Sequence, residues 1–155
     1  MTRHRHRDPF TGVHRVLIDG SNLAYAASRG PSPLPQTALI GRLRAIIPPA
    51  ILVEIAFDGP AEPGLRNTRI ASGVTVRHAG HRTADDLLLD AAMPGDLVVT
   101  NDRELRIALE RRGATTERTD WLLARLARGK AVSPSIGNRR PPPRTGRDAP
   151  DVDDR

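Results

Sequence analysis

The 155-residue chain contains no cysteine, which excludes disulfides, thiolate metal sites and a cysteine nucleophile. It is also poor in aromatics: Phe10, Tyr25, Phe57 and Trp121 are the whole set. That is too few for the platforms on which single-strand RNA readers stack successive bases. No apolar run approaches the roughly 18–20 residues of a membrane span. The basic start, MTRHRHRDPF, is not followed by the apolar stretch of a signal peptide. The expectation is a cytoplasmic protein with no membrane partner. Lysine is nearly missing as well, since Lys130 is the only one among 24 cations. Without a lysine in the body, the strand, glycine-rich loop and lysine of a P-loop cannot be assembled.

The formal net charge is +6, and it is unevenly placed. Residues 1–15 carry net +3, residues 16–120 net −1, residues 121–147 net +7, and residues 148–155 net −3. Basic flanks around a neutral body suit a polyanionic partner, because phosphate contacts give salt-dependent affinity without sequence preference. The plainer alternative is a pair of solvated tails. From Lys130 onward the chain is rich in Ser, Pro and Gly, with few large apolar residues to offset the entropy of ordering. Three parts are therefore expected: a basic arm over 1–12, a folded domain over 13–129, and a flexible Pro- and Arg-rich tail over 130–155.

The body alternates short apolar runs with helical periodicities. Val16–Ile18 reads as a strand closed by Asp19 and Gly20, followed by a short helix from Ser21 to Ser28. Leu39, Ile40, Leu43, Ile46 and Ile47 recur at helical spacing until Pro48 and Pro49 stop them. Ile51–Phe57 is a second strand, closed by Asp58 and Gly59; residues 60–69 read as loop; Val74 and Val76 mark a third strand. Thr83 opens a helix that Pro94 and Gly95 end. Leu97–Thr100 is a fourth strand, and the helix after it is capped by Gly113. Residues 114–118 suggest an edge strand, and Asp120 a cap for a last helix through Leu122, Leu123 and Leu126. Short buried strands separated by helices imply a three-layer α/β domain with a mostly parallel central sheet.

In such a sheet, ligands bind beyond the carboxyl ends of the strands. Asp19 and Asp58 close two strands, Asp102 follows a third, and Asp85 and Asp86 open the helix after another. Each has an ordinary reading. Asp-Gly is common turn chemistry, Thr83 with Asp86 fits a capping box, and Asp102 suits a helix start. Together, however, such carboxylates repel one another unless something neutralises them. A hard divalent cation with oxygen ligands does so, and Mg²⁺ or Mn²⁺ suits a few carboxylates plus water. Acidic residues with such a cation point to phosphoryl chemistry. Arg66, Arg69, Arg82 and Arg103 lie in loops or helix starts near that rim and are candidate phosphate contacts.

The segments VLIDGSNLAYAA, VEIAFDGP, GVTVRHAGHRTADDLLLD and DLVVTNDRELRIALERRGA resemble the PIN-like NYN ribonuclease family, especially its YacP-like branch. The likeness runs from about Val16 to Gly113 in the family's order. It implies a PIN-like fold and a metal-dependent ribonuclease in which water attacks an RNA phosphodiester. It carries over Asp19, Asp85 and Asp102 as ligands for Mg²⁺ or Mn²⁺. Asn22 matches the family's Asn after the first strand and Asp58 its acid after the second. Asp86 is either a second acidic member or the helix cap, and Thr100 acts through polar contacts. The implied partner is RNA, free or on the ribosome. A noncatalytic RNA- or ribosome-binding module with the same fold is the alternative.

Other arrangements carry less. His4, His6 and His14 lack a carboxylate partner, and His78 and His81 flank Gly80 near the third strand. Ser21 has no histidine base in sequence reach. An aspartyl-phosphate mechanism would need a second Asp where Ser21 stands.

Overall fold

In the computed structural model, residues 7–61, 69–70 and 73–132 are described. Strand β1 (Arg15–Asp19) is apolar on both faces, since Val16, Leu17 and Ile18 are all fully buried. A strand covered on both sides needs a helical layer on each, and the chain supplies them. After β1 come α1 (Gly20–Ala27), α2 (Gln36–Ile46), β2 (Leu52–Phe57), β3 (Arg69–Ile70) and β4 (Val74–His78). They are followed by α3 (Ala84–Ala91), β5 (Leu97–Val99), α4 (Arg103–Arg111), β6 (Thr115–Glu117) and α5 (Thr119–Val132).

The sheet has the order β3-β4-β2-β1-β5-β6, parallel throughout except for β3, which pairs antiparallel with β4. In the pleat, Val16 and Ile18 face one side together with Val53, Ile55 and Phe57; Leu23, Leu39, Leu43 and Leu122 from α1, α2 and α5 cover them. Leu17, Ala56 and Val98 face the other side, under Ala84 and Leu88 of α3 and Leu105 and Leu109 of α4. This is the three-layer α/β arrangement expected from the sequence.

Several local expectations hold. Gly113 follows α4 with φ +90°, the left-handed conformation that ends a helix most cheaply in glycine. Thr83 and Asp86 form a complete capping box at the start of α3. Residues 115–117 do form an edge strand, parallel to β5.

Other expectations need correction. The stretch expected as loop ends in strand β3, although residues 62–68 lie outside the described residues. Helix α5 starts at Thr119, so Asp120 sits in its first turn. The helix also runs to Val132, beyond the domain end drawn at 129. The arm expected over 1–12 is anchored in its second half. Phe10 is buried, packs edge-on against Trp121 at 5.0 Å between ring centroids, and lies beneath the Arg125 guanidinium. Asp8 fixes that turn by accepting the Phe10 N–H at 3.0 Å and pairing with Arg125 at 2.8 Å.

Candidate active site

The topology creates the site. From β1 the chain leaves to the face carrying α1; from the adjacent β5 it leaves to the opposite face, carrying α4. Two neighbouring strands whose connections part in this way open a crevice at their carboxyl ends. Asp19 ends β1 and Asp102 follows β5, so the two carboxylates flank that crevice. Asp58 follows β2, which pairs with β1 on its other side, and Asp85 occupies the first turn of α3.

Asp19, Asp102 and Asp58 each accept a backbone N–H. The Asn22 N–H donates to Asp19 Oδ1 at 3.1 Å, making Asp19 the N-cap of α1. The Leu105 N–H donates to Asp102 Oδ1 at 2.9 Å, making Asp102 the N-cap of α4. The Ala84 N–H donates to Asp58 Oδ1 at 2.7 Å, which fastens the end of β2 to the start of α3. Each cap engages one oxygen of its carboxylate and leaves the other for a second partner.

The positioning continues behind the carboxylates. Thr100 is fully buried, and its Oγ1 accepts the Asp102 N–H at 3.2 Å. Ser21 Oγ accepts the Asp58 N–H at 2.7 Å and so ties α1 to the end of β2. Asn101 Oδ1 accepts the buried Thr119 N–H at 3.0 Å, which joins the β5 end to α5. Gly20 lets α1 start against the sheet: a Cβ there would stand 2.6 Å from Ile55 Cγ2 and 2.7 Å from Phe57 Cε1.

The electrostatics show the acids together. Asp19 is 7% exposed, and burial first, then the charges of Asp85, Asp58 and Asp102, push its carboxyl up to about 6 from 3.8. The Asn22 N–H opposes that shift. The Asp85 carboxyl is also pushed up, first by burial and then by the charges of its neighbours, Asp102 foremost. Asp19, Asp58, Asp85 and Asp102 thus meet at one rim. Asp86 is exposed and completes the capping box by accepting the Thr83 N–H at 3.3 Å.

The donor set is all oxygen and mutually repulsive, which is the chemistry a hard divalent cation relieves. Asp19, Asp85 and Asp102 fit such a group in donor type. Among the described residues, however, no three groups stand close enough to hold one ion in this side-chain arrangement.

The basic candidates are less concentrated. Arg103 is exposed at the first position of α4. Arg82 is exposed and pairs with Asp90 at 2.5 Å, so a phosphate there would compete with that carboxylate. The backbone of Arg69 lies in β3, and Arg66 lies outside the described residues. His78 is the last residue of β4, not a loop residue; it stacks on Phe57 and bonds Gln36 Oε1 at 2.8 Å through Nε2.

Sequence reading treated Ser21 only as a nucleophile and missed it as a positioning residue. It also passed over Glu54, an acid inside the apolar run ILVEIAF. Glu54 is buried and pairs with Arg77 and with Arg15, the latter at 3.2 Å; Arg15 also meets Asp96 at 2.5 Å. This cluster belongs to the amino-terminal half of the sheet and buttresses it there, away from the rim.

A mostly parallel sheet between two helical layers, with carboxylates at the strand ends beside its switch point, makes this a three-layer α/β domain. Among solved structures, a mutant form of Rae1 (YacP) from Bacillus subtilis is similar in fold. The TM-score is 0.53 at 17% identity, covering 77% of this chain and 78% of that one. At this identity the likeness is one of fold. No family model and no curated protein matches the sequence. Among the described residues no helix is long and apolar enough to cross a membrane.

Proposed function

We propose that this protein is a ribonuclease that uses Mg²⁺ or Mn²⁺ to hydrolyse RNA phosphodiesters by attack of water. The observation that carries the reading is the convergence of Asp19, Asp58, Asp85 and Asp102, from four separate strand or helix ends, on one rim where two carboxyls are pushed upward. Structural caps would not need to meet; ligands for a shared cation would. The fold shared with YacP is consistent with this reading.

Asp19, Asp85 and Asp102 would hold the cation, which when bound neutralises the carboxylates and lowers the pKa of a water. Asp58 keeps Oδ1 on the Ala84 N–H and has Oδ2 to orient that water. Thr100 fixes the backbone of Asp102, and Asp19 binds the Asn22 N–H, so both ligands are aimed before substrate arrives. Asp86 serves as the α3 cap. Arg103, at the first position of α4 beside Asp102, is the described arginine best placed to meet a phosphate.

A second reading, a noncatalytic RNA-binding module, is favoured by one observation: no three groups close on a single ion among the described residues. Cleavage of end-labelled single-stranded and structured RNA in Mg²⁺, Mn²⁺ or EDTA decides between them. Metal-dependent products that vanish in Asp102→Asn support the nuclease. Binding without cleavage under all conditions supports the module.

A further inference from the structure

Beside the rim, a cavity of about 400 Å³ lies between α1 and the loop leading to α2. Its walls are Tyr25, Pro33, Leu34 and Phe57, and its polar groups include Gln36 and Asp58. Tyr25 is 64% exposed, whereas Phe10 and Phe57 are buried. Ser21 and Tyr25 are four residues apart and so share one face of α1. That face runs from the acidic rim to the cavity, because Ser21 Oγ holds the Asp58 N–H. Tyr25 follows Asp19 by six positions, a rise of about 9 Å along α1, so the cavity neighbours the rim.

We propose that this cavity is a nucleobase subsite, in which one base of the RNA stacks on Tyr25 while the neighbouring phosphate lies at the acidic rim. The inference rests on the nuclease reading for the identity of the polymer. The lining favours a base over a phosphate: none of the described lining residues is basic, and Asp58 repels an anion. An apolar slot with an exposed ring suits a flat, neutral π-system, and Gln36, held by His78 at 2.8 Å, is a fixed hydrogen-bonding group in its wall. A single ring serves a single base, so the scarcity of aromatics is no obstacle. Stacking tolerates every base, which makes the subsite a device for positioning the strand more than for reading sequence.

The test is binding of a fluorescein-labelled single-stranded octaribonucleotide in EDTA, with the wild type, Tyr25→Ala and Tyr25→Phe. Tyr25→Ala is expected to weaken binding by about 5- to 100-fold, and Tyr25→Phe, which keeps the ring, to restore it. A series of the same RNA with one abasic residue at each position supplies the second arm. At one position the abasic change should cost the wild type a similar factor and cost Tyr25→Ala almost nothing more. Equal affinity of wild type and Tyr25→Ala, with additive abasic losses, overturns the subsite and leaves the nuclease reading intact. Tyr25-dependent binding by a protein that cuts no RNA supports the subsite and removes the nuclease reading. Absence of RNA binding by the wild type overturns the subsite, while cleavage in Mg²⁺ or Mn²⁺ still decides the nuclease reading. Because Tyr25 is exposed and Ala favours helices, unchanged melting is expected for both variants.

Discussion

Burial and then the neighbouring charge of Asp102 push the Asp85 carboxyl up, although the two acids belong to the first turn of α3 and the cap of α4. Carboxylates near enough to act on one another repel, and a proton or a cation relieves that repulsion. The rim is therefore an assembly in which the state of each acid depends on its neighbours, and its substitutions are read against both stability and activity.

Asp102→Asn is expected to abolish cleavage, by at least about 100-fold, with little change in folding. Asparagine keeps the acceptor for the Leu105 N–H and is a good N-cap. Calorimetric titration with Mn²⁺ should show weakened binding, and the melting temperature should hold. Full activity in a pure preparation would remove Asp102 from the site.

Asp19→Asn should stabilise the metal-free protein at neutral pH. Folding raises the Asp19 pKa from 3.8 to about 6, so the native state holds that proton more tightly than the unfolded chain does. The linked stability is complete below the lower value and is lost as pH rises through the upper one. Above that range the variant is expected to gain on the order of 2–3 kcal/mol, with the difference closing toward pH 4. Denaturant melts in EDTA across this range measure it, and a gain that does not vary with pH would contradict the cause assigned.

Gly20→Ala should destabilise by about 1–3 kcal/mol. The added carbon would press on Ile55 and Phe57 at the point where Asp19 caps α1. Urea denaturation gives the stability change, and RNA cleavage should fall with it, because the cap and the Ser21 contact shift together. Alanine tolerated at no cost would show that the helix start can move.

Removing residues 133–155 should leave the domain folded, since α5 is kept through Val132. The deleted part holds Arg139, Arg140, Arg144 and Arg147 before the acidic end. If these meet phosphates, the slope of log affinity against log salt flattens by up to about 0.7 per lost contact on a single strand. Identical slopes for the two proteins would make the tail a bystander, while cleavage of a short saturating RNA should survive.

The fold was legible where the sequence repeats a physical pattern. Val16–Ile18 and Leu97–Val99 are continuous apolar runs because parallel strands are buried on both faces, and Thr83 with Asp86 announces a helix start. The rim was legible because Asp19 ends a strand and Asp58 and Asp102 each follow one. What escaped depends on contacts distant in sequence. Ser21 positions Asp58 from another element, Glu54 finds Arg15 and Arg77 only across the sheet, and β3 is two residues long. Phe10 gave no local signal, since its partners Trp121 and Arg125 lie near the far end of the folded body.

That last contact bears on how the chain folds. Phe10 and Trp121 are separated by 111 positions, so their contact closes nearly the whole domain into a loop. Closing a loop of that length is entropically unfavourable until the sheet has already drawn its ends together, so the clasp is a late event. It acts as a noncovalent latch, fastening the turn at Asp8–Phe10 to helix α5 after the strands are in register. The latch is expected to open before the central strands do. The Phe10 and Trp121 region should accordingly exchange its amide hydrogens well before β1, whose order is set by neighbours on both sides.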